Sequence, residues 1–60
     1  MSARVELSAT RDGNAVLGSF YRVTAWLGNE YLGEHIFAGY NKRDSLQLAR
    51  AYIKERGRFN

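Results

Sequence analysis

The chain has sixty residues with no Cys, no Pro and a single His, and nine Lys plus Arg against six Asp plus Glu give it a net charge of +3. That length allows one domain over residues 1–60, and the missing Cys and lone His exclude a disulfide framework and a zinc site of the Cys/His kind. A hydrophobic share of 45% and a charged share of 25% form an ordinary globular balance and exclude a disordered chain. A domain of this size buries only about 60% of the surface its unfolded chain exposes. Good packing or a second copy must supply the stability that disulfides and metals supply elsewhere.

In chain order, Arg4-Val5-Glu6-Leu7-Ser8-Ala9 carries apolar residues at every second position, which predicts a half-buried strand over about 3–10. Asp12-Gly13 is hairpin-turn chemistry, because Gly adopts positive φ without steric cost and Asp tolerates it. A second strand is predicted over about 16–27, centred on the aromatic and β-branched run Phe20-Tyr21-Arg22-Val23-Thr24-Ala25-Trp26-Leu27. Gly28-Asn29 closes it, and a third strand follows over about 30–37.

A helix is predicted over about 42–56. Asn41 caps it, Asp44 stands three residues later where an acid answers the cap, Arg56 lies in the last turn and Gly57 ends it. Ser45, Leu46, Leu48, Ala49, Tyr52 and Ile53 fall on one side and are expected to face the core. Arg43, Gln47, Arg50 and Lys54 line up on the other as a basic ridge, read either as a solvated face or as a set of phosphate contacts. Arg58-Phe59-Asn60 is a tail that frays unless Phe59 folds back on the core. The fold class is therefore α+β: a three-stranded antiparallel meander with one C-terminal helix on one face.

A two-residue turn at Gly28-Asn29 pairs Trp26 with Tyr31, Val23 with Glu34, Arg22 with His35 and Phe20 with Phe37. One face then carries Tyr21, Val23, Ala25, Leu27, Leu32, Glu34 and Ile36, and the other carries Phe20, Arg22, Thr24, Trp26, Tyr31, Gly33, His35 and Phe37. One helix covers one face. Placing it on the aliphatic side leaves Arg22, Thr24 and His35 in water. A tight turn at Asp12-Gly13 argues the opposite, since it puts Val5, Leu7 and Ala9 on the aromatic side; a longer first turn or a bulge near Gly18 reverses that parity.

No enzyme signature is present. The serines lack a nucleophile-elbow context, the carboxylates show no catalytic spacing, and the glycines at 13, 18, 28, 33 and 39 read as turn and bulge punctuation with no phosphate-cradling loop. No cofactor, no metal and no small-molecule substrate are expected. No continuous apolar segment of leader or membrane-spanning length appears, so the expected location is cytoplasmic, with no membrane partner. The chemistry that remains is binding: Phe20, Arg22, Thr24, Trp26, Tyr31 and His35 on the sheet, with Arg43, Arg50 and Lys54 on the helix. Aromatic planes interleaved with cations suit stacking on nucleic-acid bases, and Trp, Tyr and Arg also dominate protein interfaces.

Tyr21-Arg22-Val23-Thr24-Ala25-Trp26, Tyr31-Leu32-Gly33 and the capped helix with Ala49-Arg50-Ala51-Tyr52 resemble the sheet-plus-helix DNA-binding domains of the AP2 and phage-integrase arm type. That resemblance implies a sheet face entering a DNA groove through Arg22, Thr24, Trp26 and His35. The chain departs from it in having few sheet cations and in placing Glu6, Glu30 and Glu34 nearby. In size and architecture the chain also resembles small phage-encoded inhibitors, anti-CRISPR proteins among them, which implies a protein partner in a host cytoplasm. The expected function is thus a non-enzymatic nucleic-acid-binding module, with an inhibitor or interaction protein, or a homodimer, as the alternative.

Overall fold

The structure is a computed structural model that describes residues 4–59. Three antiparallel strands, β1 (Val5–Asn14), β2 (Gly18–Leu27) and β3 (Glu30–Ala38), form one sheet in the order β1-β2-β3, and the helix α1 (Lys42–Arg56) follows. The expected β-β-β-α architecture is the one observed, and the helix has the expected bounds. The first strand was expected from residue 3, which lies outside the described residues, as does Asn60.

The first turn is not at Asp12-Gly13. Both residues lie inside β1, and the chain reverses over Ala15–Leu17, with Asn14 opposite Gly18. Asn14 Oδ1 accepts from the backbone N–H groups of Val16 (3.0 Å) and Leu17 (2.7 Å), and Gly18 takes φ 71°. Asn14 therefore supplies the local side-chain-to-backbone hydrogen bonds of a turn. This longer turn sets the parity of the sheet. Val5, Leu7 and Ala9 pair with Leu27, Ala25 and Val23, so the apolar positions of both strands share one face.

The second turn is the two-residue Gly28-Asn29 connection, but the register changes beyond it. Trp26 pairs with Tyr31 and Ala25 with Gly33, which leaves Leu32 as the extra residue of a β-bulge. From there His35 pairs with Val23, Ile36 with Arg22 and Phe37 with Tyr21. The bulge overturns the unshifted pairings of Val23 with Glu34, Arg22 with His35 and Phe20 with Phe37: Glu34 stands opposite Thr24 and Phe20 opposite Ala38. Leu32 turns into the core, and Gly33, at φ 104°, occupies a conformation that side chains disfavour.

The helix covers the aliphatic face of β2. Asn41 Oδ1 accepts from Asp44 N–H at 2.7 Å, and the Gly57 N–H donates to the Ile53 carbonyl from the left-handed C-cap conformation at φ 83°. Val23, Ala25, Leu32, Phe37, Ala49, Ile53 and Phe59 form the buried core, flanked by half-buried Val5, Leu7, Leu46 and Tyr52. Full burial of Val23 contributes about 1.5–3 kcal/mol. Leu48, expected in the core, is exposed. The buried line is Ser45, Ala49 and Ile53, and Leu48 stands about 100° around the helix from Ala49. Phe59 does fold back: it is buried, and its N–H donates to the Leu32 carbonyl at 2.9 Å. Among the described residues no helix is long and apolar enough to cross a membrane.

Candidate functional site

The face of the sheet opposite the helix is the candidate site. Alternation along each strand and the pairing between strands place its side chains in four rungs: Glu6-Trp26-Tyr31, Ser8-Thr24-Glu34, Thr10-Arg22-Ile36 and Asp12-Phe20-Ala38. Trp26 and Tyr31 are directly opposed across the strands, with ring centroids 5.0 Å apart and planes inclined at 56°. Their exposures are 42% and 44%. Such tilted aromatic pairs stabilise the strand pairing while leaving ring surface in solvent. Ile36, at 41% exposed, extends the apolar surface two rungs along.

Arg22 occupies the middle of the face and is already engaged. Its Nη2 lies 2.7 Å from Asp12 Oδ2, its Nε lies 3.9 Å from Glu34 Oε2, and its guanidinium carbon lies 5.9 Å from the Phe20 ring centroid. Both carboxylates reach it diagonally, one from each neighbouring strand. Phe20 is buried beneath this arrangement. Glu6, Asp12 and Glu34 thus surround the aromatic surface, and Arg22 is the one cation among the strand residues of this face.

The residues predicted from sequence divide into three groups. Phe20, Arg22, Thr24, Trp26 and Tyr31 share the open face, with Phe20 beneath its surface rather than on it. His35 does not belong there. The bulge turns it to the helix side, where its ring stacks 5.6 Å from Tyr52 and 5.8 Å from Phe59 and meets the edge of Phe37 at 4.9 Å. Arg43, Arg50 and Lys54 are exposed on α1, on the far side of the sheet from Trp26.

The bulge exchanges the far half of β3: Glu34 and Ile36, expected on the covered face, stand on the open one, while Gly33, His35 and Phe37, expected on the open face, stand on the helix side, and Asp12 joins Glu6 and Glu34 at the rim. A glycine inside a strand pattern is the signal for a bulge, and Gly33 carries it. Charge is segregated as a result. Arg11 shares the helix side with the helix and tail cations Lys42, Arg43, Arg50, Lys54, Arg56 and Arg58, against Glu30, Asp44 and Glu55, while the strand residues of the open face are three carboxylates and one guanidinium, with Arg4 at the same parity just before β1. Among the described residues no three His, Asp or Glu side chains converge in a way that could hold a metal ion. Comparison of the chain with family models, curated proteins and solved structures returned no match.

Proposed function

We propose that the chain is a non-enzymatic binding module that holds a protein on its open sheet face, the partner presenting basic side chains around an apolar centre. The observation that carries this reading is the rim of Glu6, Asp12 and Glu34 around exposed Trp26, Tyr31 and Ile36. Trp and Tyr supply the large, rigid contact area typical of interface centres. The carboxylates complement Lys and Arg and steer their approach. Nucleic acid on the same face meets the opposite electrostatics, because Arg22 is spent on Asp12 and Glu34 and the surrounding charge repels phosphate.

The test is a photo-crosslinking residue at Thr24, in the centre of the face, against one at Gln47 on the helix, each with and without Trp26→Ala. The expected result is a protein adduct from Thr24 alone, lost with Trp26→Ala while the far-ultraviolet circular dichroism is unchanged. Retardation of nucleic acid that is abolished by Trp26→Ala and weakens steeply with salt would overturn the reading in favour of nucleic acid.

A further inference from the structure

The two edges of the sheet are finished differently. Along β3 the bulge at Leu32 interrupts the register, and Phe59 donates its backbone N–H to the Leu32 carbonyl, so part of that edge is already occupied. Along β1 the pairing with β2 runs unbroken for ten residues, no further strand pairs with its outer edge among the described residues, and a shallow groove there is lined by Arg4, Val5, Glu6, Leu7 and Arg50. Proteins shield edge strands with charged side chains, Pro, bulges or short length. β1 is ten residues long without Pro or Lys, and its charges are Glu6, Arg11 and Asp12, of both signs. Its helix-side residues Val5, Leu7 and Ala9 are only half-buried, so the core stops short at this edge.

We infer that the β1 edge pairs antiparallel with β1 of a second copy, making a continuous six-stranded sheet. A two-fold axis between antiparallel strands keeps the two helices on the same side, and directly opposed residues must then come from the same face. The axis therefore passes through a residue rather than between two. Centring on Ala9 opposes Glu6 with Asp12, a like-charge pair that disfavours that register. Centring on Leu7 opposes Arg4 with Thr10 and forms no charge pair. Centring on Ser8 opposes Arg4 with Asp12, Glu6 with Thr10, Leu7 with Ala9 and Val5 with the aliphatic stem of Arg11, and it is the one of the three that forms a complementary charge pair on each side of the axis. The register with Ser8 opposite its own copy is the one this strand specifies. It uses the edge and leaves Trp26, Tyr31 and Ile36 free, while Glu6 and Asp12 of the rim described above stand at the seam between the copies.

The chain's lack of cysteine makes the register directly testable. Directly opposed Cα atoms of antiparallel strands lie about 4.5–5.5 Å apart, inside the roughly 4.4–6.8 Å span of a disulfide. Ser8→Cys is expected to oxidise to a covalent dimer, and Thr10→Cys, which faces Glu6 of the other copy, is expected to stay uncrosslinked under the same conditions. Both positions are exposed in the single chain, so neither substitution disturbs its core. Sedimentation equilibrium of the unmodified chain is expected to give twice the chain mass, and Arg4→Glu, which sets Glu against Asp12 on both sides of the axis, is expected to weaken association about tenfold. A monomer at every concentration up to about 1 mM, equal crosslinking from Cys at 8 and 10, or dissociation by Trp26→Ala in place of Arg4→Glu would each overturn the inference.

Discussion

The two faces of the sheet use aromatic residues in opposite ways. On the helix side Phe37, Tyr52 and Phe59 each lie within about 6 Å of the His35 ring, which stays exposed at the margin of the core that Phe37 and Phe59 help to form. On the open side Trp26 and Tyr31 pair with each other and leave over two-fifths of their surface in solvent. The first set lies on apolar neighbours and the second inside a rim of carboxylates. Aromatic content therefore does not distinguish a core from a binding face in a chain this small. What lies around the rings does.

Substitutions should separate the faces by the size of their effect on stability. Phe59→Ala removes a buried ring and loosens the backbone contact to Leu32; it is expected to cost about 3–5 kcal/mol, most of the stability of a domain this size, read as loss of a cooperative urea transition. Gly33→Ala forces a side chain into the positive-φ position of the bulge. The expected loss is about 1–3 kcal/mol, and hydrogen exchange should show β3 loosened ahead of β1. If stability is unchanged, the bulge is not what sorts Glu34 from His35. Ser45→Ala should act in the other direction. The Ser45 hydroxyl is fully buried with no hydrogen-bond partner, so its removal is expected to stabilise by about 1 kcal/mol and raise the thermal midpoint. Trp26→Ala should move stability least, by under about 1 kcal/mol, while removing the partner; a loss as large as that of Phe59→Ala would return Trp26 to the core and erase the contrast between the faces.

The helix was legible residue by residue because its signals are local. Asn41, Asp44 and Gly57 act within one turn of the ends they define. The strands were legible as strands, but which way each side chain points depends on parity, and parity accumulates from every turn and bulge. Two turn signals compete in Arg11-Asp12-Gly13-Asn14, and the chain uses the later one. Gly13 is needed for a different reason: a Cβ there would stand 2.8 Å from the Gly18 carbonyl oxygen. The Leu32 bulge then moves Glu34 out of the covered face and His35 into it. That one-residue change resolves the buried carboxylate that the regular register implied. Arg22, Thr24, Trp26 and Tyr31 lie between the two ambiguities and were placed correctly. The acidic rim comes from β1 and from the far side of the bulge, beyond what strand alternation alone reaches.

The order of the sheet has a kinetic consequence. Each strand pairs with its neighbour in sequence across a turn of two or three residues, so both hairpins form at small loop-closure cost. The distant closure is the return of α1 to β1, the first strand of the chain. Hairpin zippering thus has a short search and helix docking a long one, and a chain caught between the two carries a formed meander with its apolar side uncovered. At that stage both surfaces of the sheet are sticky, and the time the helix takes to arrive sets how long the chain is exposed to aggregation.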